Sequence, residues 1–273
     1  MPARDRRAPA PSGRHRAAGV VSGRGSIFGV GLDQVDSDEE VRGRLATLLD
    51  GDRTAAVFTP NPEILLRARR DPSYAEVLNA ADLALPDGTG VAIVLSVRAR
   101  RAVRRWPGVE LAGGLVRLAA DRGERVAFLG STPGIAERAI ARWRAVVPSL
   151  DAHVVAPGVT IGADGFGATP DDEAATNEAI RTAAPSIVLV GLGAPKQERW
   201  IASHASMFPS ARILIGVGGA FDMWAGRLRR APRALHAVGL EWAWRLALEP
   251  RRLPRIVNAV VVFPLRVLAD RRS

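Results

Sequence analysis

Cysteine is absent from this chain of 273 residues, and lysine occurs once, at Lys196. Without cysteine there is no disulfide framework, no thiolate nucleophile and no Cys-based metal site, which fits a reducing compartment. The four histidines, His15, His153, His204 and His236, are scattered and lack the spacing of metal ligands. Aromatic residues are few, at 5%. Long apolar runs are missing too: Ile256 to Phe263 falls far short of the ~20 residues that a spanning helix requires, and suits a position on a membrane rather than across one. Met1 to Gly25 has no apolar core of the kind a signal peptide carries and no apolar periodicity, so residues 1–25 read as a disordered basic tail.

What is present is apolar residues and arginine. The hydrophobic content of 47% is ample for a sizeable core, and the length corresponds to one or two domains. The formal net charge is +10. Such an excess implies an anionic partner or surface without saying which.

The stretch from Thr59 to Gly90 organises the rest. Ala55-Ala56-Val57-Phe58 is a short apolar run that ends in Thr59-Pro60-Asn61-Pro62-Glu63, so it reads as a buried parallel strand with Thr59 and Asn61 at its carboxyl edge. Asp82-Leu83-Ala84-Leu85 repeats the arrangement and places Asp87 in the Gly-rich turn after Pro86. Ligands bind at that edge of open α/β sheets. A hydroxyl, a carboxamide and a carboxylate would converge on one crevice. Asp-Gly is equally a common turn former, and Thr or Asn beside Pro a common helix start.

Along the chain, Ser26-Ile27-Phe28-Gly29-Val30 is expected to be the first strand. Ser37 with Glu40 makes a capping box for a helix through Leu49. Asp71-Pro72-Ser73 caps a helix ending at Ala80, and Gly90 to Val97 is a further helical stretch. The basic run Arg98 to Arg105 follows, a solvated face in its plainest reading. Arg125 to Leu129 is a strand leading through Gly130-Ser131-Thr132-Pro133-Gly134 into a helix, a turn whose N–H groups can hold phosphate. Two more strand–helix units span Ala152 to Ala183 and Ile187 to Ala205. In the second, Gly191 and Gly193 would allow close backbone approach of a ligand, and Lys196 and Gln197 would point from a helix N-terminus into the crevice. Arg212 to Val217 is the last clear strand. The alternation predicts a mostly parallel sheet with helices on both faces, an α/β fold.

Several motifs occur in a fixed order: Thr59-Pro60-Asn61-Pro62-Glu63, Pro86-Asp87-Gly88, Arg105 with Gly108, Gly191-Leu192-Gly193 with Pro195-Lys196-Gln197-Glu198, Gly219-Ala220-Phe221-Asp222, and Leu240-Glu241-Trp242 with Glu249-Pro250. Together they resemble the WecG/TagA/CpsF family of bacterial glycosyltransferases over roughly Ser26 to Arg255. The resemblance implies a Rossmann-like catalytic domain over residues 26–231 and a helical appendage over 232–273 that helps the enzyme work at the membrane. It implies an inverting hexosyltransferase that moves a sugar, often N-acetylmannosamine, from a UDP-sugar to a sugar on polyprenyl diphosphate, in cell-surface polysaccharide biosynthesis. No metal and no cofactor beyond the donor are expected. The implied location is cytoplasmic, peripheral on the anionic inner face of the cell membrane, and the implied assembly is an oligomer whose sites the appendage completes.

Position by position, Asp87 matches the general base, Thr59 and Asn61 match residues near donor sugar and acceptor, and Gln197 matches a pocket residue implicated in activity. Arg105 matches an arginine near the donor diphosphate. Gly130, Gly191, Gly193 and Lys196 belong to the turns expected at the donor. Arg245, Arg252 and Arg255 match appendage arginines at the acceptor diphosphate, and attraction to anionic lipid is the plainer account of the same charges. Trp106-Pro107, the basic tail and the long segment from Gly162 to Asp172 depart from the pattern. Two rivals remain. A nucleotide-dependent oxidoreductase would need Gly-x-Gly-x-x-Gly after its first strand, which Gly29-Val30-Gly31-Leu32-Asp33-Gln34 does not supply. A nucleic-acid-binding protein would explain the charge, but the few aromatics and the Trp-Leu-Arg appendage argue against that partner.

Overall fold

The computed structural model describes residues 23–155, 169–227 and 253–270. Six parallel strands form its centre: β3 (Ala55–Phe58), β4 (Leu83–Ala84), β5 (Val126–Gly130), β6 (Ala152–Val155), β7 (Ile187–Gly191) and β8 (Ile213–Gly216). They lie in the order β4-β3-β8-β7-β5-β6. Apolar residues occupy both faces because both are covered. On one side Val57, Phe128, Leu189 and Ile215 meet α1 (Asp38–Leu49), α5 (Gly108–Arg122), α6 (Ile135–Val146) and α9 (Ala220–Trp224). On the other, Phe58, Leu129, Val188 and Leu214 meet α2 (Pro62–Arg70), α3 (Pro72–Asn79), α4 (Thr89–Ala99), α7 (Pro170–Ala183) and α8 (Lys196–His204). Near-continuous apolar strands are what burial on both faces demands.

Helix starts follow local chemistry. The Ser37 side chain accepts from the Glu40 N–H at 3.0 Å, and the Glu40 carboxylate accepts from the Asp36 N–H, one residue earlier than a capping box would reach. Asp71 Oδ1 accepts from the Tyr74 N–H at 3.1 Å and starts α3, as its position before Pro72 predicts. Thr169 and Asp172 form a full capping box for α7.

The first strand differs from expectation. Ser26 to Val30 is not one strand of the main sheet but a turn between two: β1 (Arg24–Ile27) and β2 (Val30–Asp33) pair antiparallel in a separate hairpin. Phe28 and Gly29, at φ 53° and 79°, supply the two positive angles that a two-residue hairpin turn of the right twist needs. β1 begins at Arg24, two residues inside the segment read as tail. Asn79 clamps the hairpin, accepting from the Gly31 N–H and donating to the Gly29 carbonyl, and Asp33 Oδ2 accepts from the Ala84 N–H at 2.8 Å. That last bond sets β2 against the strand that leads to Asp87.

At the end of the chain α10 (Leu253–Val257), a π-helical stretch (Asn258–Val262) and α11 (Phe263–Leu268) run on as one helix. Phe263 is fully buried, edge-on to Phe28 at 5.9 Å between centroids. The position a Cβ would take on Gly90 lies 3.6 Å from its ring. This helix leaves Leu253, Val257, Val260, Val261, Leu265 and Leu268 exposed, and α4 leaves Ile93 and Val97 exposed.

Candidate active site

Every parallel strand delivers its carboxyl end to one edge. β5 leads on to β6 in one direction and β7 to β8 in the other, so the connections diverge between β5 and β7. A crevice opens where connections diverge in this way.

At the far side of the edge, two backbone bonds draw three loops together. The Asp87 N–H donates to the Pro60 carbonyl at 3.1 Å, and the Trp106 N–H donates to the Pro86 carbonyl at 2.7 Å. Proline at 60 and 86 lacks an N–H of its own, so each serves only as acceptor. Thr59, Asn61, Asp87 and Arg105 thereby share one corner. All four are half-buried. Asn61 is the N-cap of α2, its Oδ1 accepting from the Ile64 N–H at 3.0 Å. That bond turns the NH2 end of the amide away from the helix N-terminus. The Thr59 hydroxyl faces the start of α5, where a Cβ on Gly108 would sit 2.7 Å from Oγ1. Pro107, the residue before α5, has no side chain that could cap the helix. The Glu110 N–H donates to the Pro107 carbonyl at 2.9 Å, so the N–H groups that α5 brings to the same corner with its dipole are those of Gly108 and Val109. Gly88 turns the chain from Asp87 into α4 at φ 89°, a conformation costly for any other residue.

Trp106, unexpected beside Arg105, is a core residue. It is buried, donates Nε1–H to the Val35 carbonyl at 2.9 Å and carries the Arg104 guanidinium 4.2 Å from its ring. Arg105 is thus held by a rigid neighbour.

Near the divergence, Gly130 and Gly191 are paired across β5 and β7. Packing occupies the space they leave: a Cβ on Gly130 would lie 2.6 Å from Leu192, and one on Gly191 2.8 Å from Phe221. The glycines there are needed for protein contacts, a point the Gly-x-Gly spacing does not reveal. Gly193, at φ 75°, serves the turn itself. Ser131 stands in the left-handed region at φ 77°, with its Oγ buried and unpartnered among the described residues.

Gln197 departs from expectation more sharply. Its side chain does not project into the crevice but is buried, with Oε1 accepting from the Gly218 N–H at 2.9 Å and Nε2 donating to Glu198 Oε1 at 2.7 Å. The other Glu198 oxygen accepts from the Tyr74 hydroxyl at 2.9 Å. Burial pushes the Glu198 carboxyl up, and burial beside that carboxylate pushes the Tyr74 phenol up. Sequence reasoning missed this network; the pointer to it was the chain's single tyrosine, read with the acidic end of Pro195-Lys196-Gln197-Glu198. Lys196 opens α8 half-buried, with Pro195 just before the helix rather than in it.

Arg245 and Arg252 lie outside the described residues, as does the basic tail before Gly23; Arg255 falls within α10, and its side chain is likewise outside them. Among the described residues no three His, Asp or Glu side chains are grouped to hold a metal ion, and no helix is long and apolar enough to cross a membrane.

Comparison with known proteins matches residues 25–273 to the model of the glycosyl transferase WecG/TagA/CpsF family. An N-acetylglucosaminyldiphosphoundecaprenol N-acetyl-beta-D-mannosaminyltransferase of Bacillus spizizenii is 32% identical over 238 residues, covering 84% of this chain and 88% of its own length. Similarly named enzymes of Bacillus subtilis and Staphylococcus aureus are 29% identical over 219 residues and 28% identical over 250. They cover 80% and 90% of this chain, and 81% and 93% of their own lengths.

Proposed function

Since the chain belongs to the WecG/TagA/CpsF family of glycosyl transferases, we propose that it moves N-acetylmannosamine or a related hexose from a UDP-sugar to a sugar on polyprenyl diphosphate, with inversion. The names of the relatives supply the acceptor and the sugar. The observation that carries the reading is the corner where Asp87, Thr59, Asn61 and Arg105 are drawn together through the Pro60 and Pro86 carbonyls.

In this reading Asp87 removes the proton from the acceptor hydroxyl as that oxygen attacks the anomeric carbon. A positioned base is worth ~10² to 10⁴ in rate. The bond to UDP breaks on the opposite face, and Arg105 with the Gly108 and Val109 N–H groups at the start of α5 stabilises the charge that develops on the departing diphosphate. With that field supplied by protein, the reaction needs no metal. From β3 to β5 the sheet edge spans three strand spacings, about 14 Å. An extended nucleotide-sugar suits this length, with its sugar at the Thr59 corner and its nucleotide toward Ser131.

The exposed apolar residues of α4 and of the C-terminal helix support work at a membrane surface, where the polyprenyl acceptor resides. Arg245, Arg252 and Arg255 would meet the acceptor diphosphate there, and a site completed by appendage docking in an oligomer belongs to the same reading. The test measures UDP release from a panel of UDP-sugars with a polyprenyl diphosphate N-acetylglucosamine acceptor and EDTA, comparing the full chain with one ending before Leu240. Acceptor-dependent release that survives EDTA and falls on truncation is the expected result. No release with any donor would overturn the reading.

A further inference from the structure

The buried chain from Tyr74 to Gly218 has a direction. The Tyr74 hydroxyl donates to Glu198, Gln197 Nε2 donates to Glu198, and the Gly218 N–H donates to Gln197 Oε1. A carboxylate only accepts, whereas a carboxamide has one accepting and one donating end. The Glu198 carboxylate therefore fixes which way the Gln197 amide is turned. Only that orientation offers an oxygen to Gly218.

The missing side chain of Gly216 makes the space that the amide fills. The amide lies against β8, where a Cβ on Gly216 would meet Gln197 Nε2 at 2.7 Å and Cδ at 3.0 Å. Glu198 itself is anchored from the helix side. Tyr74 belongs to α3, whose cap Asp71 pairs with Arg199 at 2.8 Å. What the chain holds is the turn after β8. Val217 donates to the Val190 carbonyl at 3.0 Å, and the Gly218 carbonyl lies 3.4 Å from where a Cβ on Gly191 would sit. Since β8 lies between β3 and β7, this turn sits between the Thr59 loop and the Gly191 turn.

We propose that Glu198 is a positioning residue: through Gln197 it holds the Val217–Gly219 turn in the place that binds the nucleotide-sugar productively. The proposal rests on the transferase reading for the ligand, but not for the geometry. It explains why the pocket motif carries Gln and Glu in succession, the first touching the turn and the second orienting the first.

Substituting Glu198→Gln leaves two donors, the Tyr74 O–H and the Gly218 N–H, facing two amides that carry one accepting oxygen each. Whichever way those amides turn, the Tyr74 hydroxyl loses its acceptor, the two amide NH2 groups face each other, or an amide NH2 faces the Gly218 N–H. The double variant Gln197→Glu with Glu198→Gln restores every partner: residue 197 then accepts from Gly218 and from the residue 198 amide, and that amide's oxygen accepts from Tyr74.

The test uses the full chain as wild type, E198Q, the Q197E/E198Q pair and Y74F. It reads backbone amide exchange at Gly218 together with kcat and donor KM per folded molecule. E198Q is expected to speed Gly218 exchange and to lower kcat by roughly 10-fold or more, the cost of one unpaired buried group. Donor KM should change less. The pair should recover most of both, and Y74F should fall between. The proposal is overturned if folded E198Q keeps wild-type exchange and kcat, or if the pair is no better than E198Q alone. If wild type transfers no sugar, the transferase reading fails and exchange at Gly218 alone decides whether Glu198 positions the turn.

Discussion

The backbone N–H of Asp87 donates to the carbonyl of Pro60 at 3.1 Å, joining the loop after β4 to the loop after β3. This bond uses the main chain and leaves the carboxylate's chemistry to its side chain. Asp87→Asn is nearly isosteric and preserves it. Transfer should fall by at least ~10² while UDP affinity stays within a few-fold, as expected for loss of a base from an intact site. Steady-state kinetics beside calorimetric titration of UDP checks this, and unchanged turnover would remove Asp87 from the role.

Gly108→Ala separates activity from stability. Its methyl group would stand 2.7 Å from Thr59 Oγ1 and push the hydroxyl out of place. Misplacement of a positioning group by ~1 Å costs up to about 10² in rate. Replacing a helical glycine by alanine meanwhile favours the helix by up to about 1 kcal/mol. Activity should drop while the thermal midpoint holds or rises, and kinetics paired with calorimetry would reveal the opposite signs.

Phe263→Ala should release the C-terminal helix without unfolding the sheet. The ring is fully buried against Phe28 and Gly90, and such truncations cost about 3–5 kcal/mol. Limited proteolysis should cleave between Leu253 and Leu268 in the variant far faster than in wild type. Equal cleavage of the two proteins would show that the helix is held by other contacts.

Stability should depend on pH through His204. Its imidazole is buried and stacked on Trp200 at 4.4 Å, and burial holds it below its ordinary value of 6.5 despite the attraction of Glu173. The unfolded chain then binds a proton that the folded one refuses, so this contribution is present above about pH 6.5 and is lost as pH falls toward 5. Glu198, pushed up by burial, acts in the opposite sense: the folded chain keeps its proton longer, so its contribution grows as pH falls. Denaturant melts of wild type and His204→Phe between about pH 7 and 5 isolate the histidine. The variant should show the weaker loss on acidification, and parallel curves would contradict it.

Much of this was legible in the chain because the signals were local. Apolar runs ending at Pro60 and Pro86 give both the strands and the side of the sheet on which Thr59, Asn61 and Asp87 emerge. Asp71 before Pro72 gives a cap. The hairpin was not legible, since Ser26 to Val30 has a strand's composition and only the positive angles of Phe28 and Gly29 turn it back. Nor was the inward course of Gln197. Helical position fixes where its Cα lies, but the Gly218 N–H that captures the amide comes from a strand end 21 residues away in the chain. The glycines at 130 and 191 failed for a like reason: their spacing announces space, and Leu192 and Phe221 decide what fills it.

The seat of the C-terminal helix has a mechanical meaning. Gly90, against which Phe263 rests, is three residues beyond Asp87 and in the first turn of α4. A displacement of the outer helix would therefore be felt one turn away at Asp87, across the Gly88 bend. Whatever unseats Phe263 would thus disturb the turn that carries Asp87.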